Sequence, residues 1–281
     1  MTRKRTVRKM DRKATDQHLK ELRVDGYTLV GQFAEPDTVE RLLELLAQHF
    51  DAEKYRNYQG RPERELEDQL VYNLQNKDKR FIDILDDPFL RAVLMENLND
   101  PYYKHLPPEE PNYVLSFYNA RSSGSELPLH TDTFMPSPGE KTWTMQAAFV
   151  LQDCRLGNGC TLLVPGSHTS GKFVDRELKN VKAVEAKSGD LILWDSRIWH
   201  GASANISGKS RWMLIATFSC WWVKQRTDMP RSLPQEIYGQ LSDRQKSLLG
   251  FCSIPPRDEN ERLNFKGGYE QLRPTVAEYF S

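Results

Sequence analysis

A mainly β fold with helical flanks, closed as a sandwich or barrel, is predicted by three observations. Short runs rich in β-branched and aromatic residues recur between Tyr113 and Phe218, each bounded by turn residues. The segment before them carries apolar residues at helical spacing, and the segment from Pro230 onward returns to helix and loop. The chain has 281 residues, which suits one large domain or two small ones with a substantial core.

The elements follow in order. The first thirteen residues carry seven basic side chains and one acid, which reads as a solvated tail. An anionic partner or a transit peptide are the functional alternatives, both weakened by the lack of an apolar face. A helix over about Ala14 to Leu22 leads to the turn Asp25-Gly26 and a strand over Tyr27 to Val30. Glu35-Pro36-Asp37 opens a second helix, with Val39, Leu42, Leu43, Leu45, Leu46 and Phe50 on one stripe. The charged stretch Asp51 to Asp68 reads as loop with a short helix. Phe89, Leu90, Val93, Leu94 and Leu98 recur at helical spacing until Asn99-Asp100-Pro101 stops the helix.

Strands are then predicted at Tyr113–Tyr118, Trp143–Leu151, Thr161–Val164, Val181–Val184, Leu191–Trp194 and Trp212–Phe218. Turn signals such as Gly157-Asn-Gly159, Pro165-Gly166 and Ser188-Gly189-Asp190 separate them. The organisation expected is a basic tail over 1–13 and one domain over 14–281. That domain has a mainly helical part (14–110), a β core (111–225) and a helical extension (226–281).

Composition excludes several function classes. Lys plus Arg number 39, as do Asp plus Glu, so the chain lacks the net cationic field of a nucleic-acid binder. Apolar residues at 38% and charged residues at 28% describe a globular protein rather than a disordered one. No apolar run approaches the roughly 18 residues of a membrane span, and no apolar stretch after the basic N-terminus reads as a secretory signal. Cys154, Cys160, Cys220 and Cys252 form no CxxC pair, so they read as reduced, mostly buried thiols of a cytoplasmic protein. A Cys154/Cys160 metal or redox pair is the functional alternative.

The chemistry starts at His130-Thr-Asp132. Residues two apart on extended backbone face the same side, so both can reach one metal ion. His200 ends the run Gly189-Asp-Leu-Ile-Leu-Trp-Asp-Ser-Arg-Ile-Trp-His200 just after a predicted strand, and Arg211 follows at the start of the next. Two histidines and one carboxylate cover one face of an octahedral iron and leave the other open. Arg supplies a planar fork for a distant carboxylate.

The order His-x-Asp, Asn158-Gly-Cys-Thr-Leu-Leu-Val-Pro-Gly-Ser-His168, Gly-Asp-Leu-Ile-Leu-Trp, His-Gly and Arg resembles the phytanoyl-CoA dioxygenase superfamily. The resemblance covers about residues 20 to 225 and is most specific from Leu127 to Arg211. It implies a double-stranded β-helix, a jelly roll related to the cupins, with N-terminal helices packed on one sheet. It implies Fe(II), 2-oxoglutarate and O2 as cofactor and cosubstrates, with His130, Asp132 and His200 on the metal and Arg211 on the distal carboxylate. The implied reaction is hydroxylation of an unactivated C–H bond, with release of succinate and carbon dioxide. Halogenating relatives replace the metal carboxylate with a small residue, so Asp132 favours hydroxylation.

The superfamily often has a hydroxyl residue two positions after the second metal histidine; here Ala202 stands there, with Ser203 beside it. Strand alternation makes Gln146 the first candidate for a further 2-oxoglutarate contact, with Thr144 on its face and Ser116 or Asn119 opposite. His168 is expected to pin the Pro-Gly-Ser-His turn rather than bind metal.

The substrate expected is a small polar or anionic molecule. Arg121, Arg226 and Arg231 are candidates to hold its charge, and Phe134, Trp199 and Trp221 to shape the pocket. Each also reads as an ordinary surface charge or core aromatic. A monomer or homodimer is expected, without nucleic-acid partners. Two other readings remain open at this point: a cupin-like hydrolase or isomerase using another divalent ion, and a non-catalytic jelly-roll binding module.

Overall fold

A computed structural model describes residues 12–54, 69–103, 106–122, 124–132, 139, 141–171 and 178–255. The helices are α1 (Arg12–Asp25), α2 (Pro36–Lys54), α3 (Lys79–Asp83), α4 (Pro88–Leu98), α5 (Met229–Ser232), α6 (Gln235–Tyr238) and α7 (Asp243–Leu248). The early strands are β1 (Tyr27–Val30), β2 (Gln69–Tyr72), β3 (Val114–Ser122), β4 (Leu127–His130) and β5 (Thr144–Val150). The later ones are β6 (Thr161–Leu163), β7 (Lys182–Val184), β8 (Leu191–Asp195), β9 (His200–Ala202) and β10 (Met213–Ser219).

The strands form two antiparallel sheets. The larger has the order β1-β8-β5-β10-β3-β2, and the smaller β4-β9-β6-β7. This is a jelly-roll architecture of two facing sheets with helices on one side. Strand alternation divides the apolar residues between two cores. On β5, Met145, Ala147 and Phe149 join the core under the helices, while Ala148 and Val150 face the smaller sheet. On β8, Leu191 and Leu193 point to the helices and Ile192 and Trp194 to the interior between sheets. Both faces of these central strands are covered, so their sequences read as continuous apolar runs.

The helices close the outer core. Leu42 and Leu46 of α2, Phe81 of α3 and Leu90 and Leu94 of α4 are fully buried there. Helix α4 ends at Leu98 as the sequence predicts but starts at Pro88, two residues after the Asp86 expected from the sequence: Asp87 caps it by accepting from the Phe89 and Leu90 amides, and Pro88 occupies its first turn.

The structure corrects several boundaries. Helix α1 begins at Arg12, inside the segment assigned to the tail; residues 1–11 lie outside the described residues. The first hundred residues supply β1, with its predicted bounds, and also β2, the two edges of the larger sheet. Strands β2, β4 and β9 were not separate expectations. Each is four residues or fewer, too short for periodicity to register, and is held by its neighbours. Of the stretch 51–68, residues 51–54 continue α2 and the rest lie outside the described residues, as do 256–281.

The thiols are free; Cys154, Cys160 and Cys220 are buried and Cys252 half-buried. His168 is buried, and its Nε2 meets the Arg23 carbonyl at 3.2 Å, tying the end of α1 to the Pro-Gly-Ser-His turn. Gly26 makes this close approach feasible. It lies at φ +81°, and a Cβ there would fall 2.5 Å from His168 Nδ1. Gly26→Ala is therefore expected to cost about 1–3 kcal/mol through backbone strain and overpacking, measured as a lower urea midpoint. An unchanged midpoint would refute this packing account.

Candidate metal centre

The smaller sheet brings the two histidines together. β4 pairs antiparallel with β9 so that His130 stands directly opposite His200. Close approach is set by Gly201, where a Cβ would lie 2.4 Å from the Leu127 carbonyl oxygen. Asp132 follows β4, and its amide donates to the Ser196 carbonyl at 3.0 Å. That carbonyl belongs to the β8–β9 turn, which a buried ion pair holds. Arg197 donates through Nε and Nη2 to Asp195, and its Nη1 reaches the Gly139 carbonyl at 2.9 Å. Thr142 Oγ1 donates to the same carboxylate at 3.0 Å. Such a satisfied, bidentate pair fixes geometry more than it adds stability.

The result is a compact donor set. Asp132 Oδ1 lies 3.6 Å from His130 Nε2, and Oδ2 lies 3.2 Å from His200 Nε2. One ligand atom from each residue falls within 4.8 Å of the others. His130 Nδ1 sits 2.9 Å from the Pro128 carbonyl and His200 Nδ1 sits 3.1 Å from that of Ile198. A carbonyl can only accept, so both Nδ1 atoms carry the proton and both Nε2 lone pairs face Asp132. This is the tautomer a metal ligand needs. Burial works to raise the Asp132 carboxyl, but the hydrogen bonds that the two imidazoles donate when they also carry a proton on Nε2 outweigh it and hold it well below the usual range. The hydrogen bond to Asp132 raises His130. Two imidazole nitrogens and one carboxylate oxygen suit a divalent first-row metal.

The three residues open on a cavity of about 510 Å³ between the sheets. Cross-strand rows of the larger sheet form one wall. Trp194, Gln146, Thr217 and Phe117 pair in register as the first row. Ile215, Asn119 and Tyr72 form the second, and Met213, Arg121 and Leu70 the third. Arg211 continues the β10 alternation past Met213 and lines the same space. It is buried, and its amide donates to Ser122 Oγ at 2.7 Å. Its Nε donates to the Asn158 carbonyl at 3.3 Å and its Nη2 to that of Gly159. Gly159, at φ +89°, is needed there, because a Cβ would sit 2.9 Å from that Nη2.

Of the sequence candidates, His130, Asp132, His200, Arg211, Gln146, Asn119, Arg121 and Arg226 share the cavity. Gln146 Oε1 accepts from Thr217 Oγ1 at 2.7 Å, which fixes the amide. The other candidates lie elsewhere. Thr144 is at the start of β5, beyond the first row, where its carbonyl accepts from the Ser196 amide. Ser116 has the opposite parity to Asn119 on β3, so Phe117 rather than Ser116 faces inward. Ser203 donates its hydroxyl to the Leu156 carbonyl at 2.7 Å. Trp199 is buried near the Ser167 turn, Trp221 donates to Asp100, and Arg231 lies on α5. Phe134 lies outside the described residues. Sequence reasoning missed Thr217, Phe117 and Tyr72 as wall residues. Counting back by twos from Asn119, and across from Gln146, would have found the first two.

Comparisons with known proteins agree with this arrangement. Residues 22–213 match the phytanoyl-CoA dioxygenase (PhyH) family. Dioxygenase af480 of Aspergillus fumigatus is 29% identical over 141 residues, 48% of this chain. That match covers 46% of the relative, so the chain spans under half the length of this curated protein. HygX from Streptomyces hygroscopicus, solved with nickel and 2-oxoglutarate bound, superposes with a TM-score of 0.59 at 16% identity, covering 77% of this chain and 89% of that one. The epimerase SnoN from nogalamycin biosynthesis, in complex with Fe3+, alpha ketoglutarate and nogalamycin RO, has a TM-score of 0.58 at 18% identity, covering 75% and 85%. These two share the fold. With the family match spanning most of the chain and both sheets of the jelly roll present, this chain belongs to the phytanoyl-CoA dioxygenase family.

Proposed function

We propose that this chain is a single-domain Fe(II)- and 2-oxoglutarate-dependent dioxygenase that hydroxylates an unactivated C–H bond of a small polar or anionic molecule. The observation that carries the reading is the convergence of His130, Asp132 and His200 on a cavity that Arg211 also lines. The bound HygX and SnoN complexes lend support, since those neighbours hold a metal with 2-oxoglutarate or alpha ketoglutarate on the same fold. The donor set fits ferrous iron: two neutral imidazoles and a carboxylate on one face.

When bound, iron and 2-oxoglutarate together supply the oxidising chemistry, with succinate and carbon dioxide as by-products. The protein supplies position. The Pro128 and Ile198 carbonyls hold the imidazoles in the ligating tautomer. Arg211 orients the distal carboxylate of the 2-oxo acid through its planar fork. The Gln146 and Asn119 amides lie on the cavity wall in the first and second rows, among the apolar side chains of Trp194, Phe117 and Ile215. A cavity of about 510 Å³ has room for the cosubstrate and a small second molecule.

An anaerobic titration tests the reading. Fe(II) with 2-oxoglutarate is expected to give a weak visible charge-transfer band. Metal binding without that band would favour a cupin-like hydrolase or isomerase, and no metal binding a non-catalytic module. SnoN is an epimerase, so the product of turnover must be identified directly. Arg211→Ala is expected to weaken 2-oxoglutarate roughly a hundred-fold, the scale of a lost charge-assisted bidentate contact. Metal affinity should stay unchanged. An unaltered band titration would remove Arg211 from this role.

A further inference from the structure

The run from Asn158 to His168 holds none of the three metal-centre residues, yet it opens on the turn that touches Arg211. Asn158 closes that turn on itself. Its Oδ1 accepts from the Arg155 amide at 2.6 Å, and its Nδ2 donates to the Asp153 carbonyl at 2.9 Å. Its own amide donates to the Arg155 carbonyl at 3.0 Å. One short side chain must therefore both accept and donate, which an asparagine amide does and an ionised aspartate cannot.

The closed turn is also pinned from outside. The Leu156 amide donates to Glu185 at 3.0 Å, and the Ile206 amide donates to the Gly157 carbonyl at 3.1 Å. The next two carbonyls, of Asn158 and Gly159, face one edge of the Arg211 guanidinium. Nε donates to the first at 3.3 Å and Nη2 to the second. At the backbone, Ser122 Oγ accepts from the Arg211 amide at 2.7 Å and Gln152 Oε1 from the Trp212 amide at 2.9 Å. Main chain and head group of this buried, cavity-lining arginine are thus both held. A long arginine side chain is costly to order, so carbonyls that order it beforehand lower the cost of binding.

We propose that Asn158 is a positioning residue for cosubstrate selection: its amide closes the turn whose Asn158 and Gly159 carbonyls aim the Arg211 guanidinium, and so lets the site favour a 2-oxo diacid over a 2-oxo monoacid. This rests on the reading of Arg211 as the group that holds the distal carboxylate, and it names the residue that aims it. In that reading the keto-acid end binds at the metal, so only the distal end feels the loss of Asn158. The bidentate match between guanidinium and carboxylate depends on the angle of the fork, which is what the two carbonyls fix.

The test compares 2-oxoglutarate with 2-oxopentanoate, which keeps the keto acid and the chain length but lacks the distal carboxylate. The full chain is loaded anaerobically with Fe(II), and each acid is titrated by isothermal calorimetry and through the charge-transfer band. Wild type is expected to prefer 2-oxoglutarate about a hundred-fold. Asn158→Ala should cut that preference about ten-fold, part of one charge-assisted contact, by weakening 2-oxoglutarate alone. Affinities for 2-oxopentanoate and Fe(II) should stay as in wild type. Asn158→Asp keeps the acceptor for Arg155 and loses the donor to Asp153, so it should fall between the two. On an Arg211→Ala background Asn158→Ala should leave the preference where it is, the mark of two residues acting through one interaction. A wild-type preference in Asn158→Ala overturns the proposal. So does an equal loss for both acids, or an equal loss of Fe(II) affinity, which would mark a merely structural turn. If Asn158→Ala does not fold, Asn158→Asp decides, and a full preference there overturns the proposal. If wild type shows no preference, or Arg211→Ala keeps it, the assignment of Arg211 itself fails and this proposal falls with it.

Discussion

Asp132→Ala should abolish 2-oxoglutarate-dependent succinate release while leaving the chain folded. Asp132 is the only carboxylate in the three-residue donor set, and its two oxygens reach toward both imidazoles. Without it the metal keeps two ligands on two strands and loses the charge that complements a divalent ion. A metal site contributes several kcal/mol to its reaction, so the expected fall is roughly a thousand-fold or more. The carboxylate stands at the cavity rather than in either apolar core, so the metal-free variant should melt near the wild type. Adding Fe(II) or a redox-inert substitute should stabilise wild type by about 2.7 kcal/mol at a hundred times the dissociation constant. The variant should show no such shift. Retained turnover, or a preserved metal-induced rise in melting temperature, would take Asp132 out of the centre.

Gly201→Ala should be almost as damaging, although Gly201 ligates nothing. A Cβ at this position meets the Leu127 carbonyl at 2.4 Å and the Pro128 carbonyl carbon at 3.2 Å. Both belong to backbone that no rotamer change can move. The strands β4 and β9 must separate, and these strands carry His130 and His200 opposite each other. Overpacking of this sort costs about 1–3 kcal/mol of stability, and rigid backbone places it at the upper end. The metal site suffers as well, because ligands displaced from their geometry typically lose 10–100-fold in affinity. The expected signature is a lower urea midpoint together with weaker metal binding. Normal metal affinity in Gly201→Ala would show that β4–β9 spacing does not set the site.

Much of this was legible in the sequence because the signals were local. The strands β1, β5, β6, β8 and β10 begin and end within a residue or two of their predicted runs; for the central strands β5 and β8, burial on both faces leaves uninterrupted apolar stretches. The helical spacing of Phe89, Leu90, Val93, Leu94 and Leu98 and the stop at Asn99-Asp100-Pro101 announce α4 through neighbours only. The metal residues were legible for a different reason: His-x-Asp alone is easily matched by chance among six histidines, but the full order of His-x-Asp, Asn158 to His168, Gly-Asp-Leu-Ile-Leu-Trp, His-Gly and Arg resembles one superfamily.

The wall candidates divided according to register. Gln146, Asn119, Arg121 and Arg226 share the cavity, whereas Thr144, Ser116, Ser203, Trp199, Trp221 and Arg231 do not. Alternation along a strand says which residues share a face but not where the cavity ends, which placed Thr144 too optimistically. Ser116 lies three residues from Asn119, so it and Asn119 cannot both face the cavity from one strand, and Phe117 takes the inward place. The hydroxyl of Ser203 was claimed by Leu156, a partner 47 residues away.

The sequence by itself determined the β-rich core, the helical flanks and the residue types able to hold a metal, because periodicity, capping and ligand chemistry act over a few bonds. Only the tertiary structure decided that β4 lies beside β9, that Arg197 and Asp195 brace the turn between metal residues, and that Arg226 comes to rest at Asp132. These outcomes depend on strand register and on contacts between residues distant in the chain. Such contacts form only when both sheets pack, so no short stretch of sequence encodes them.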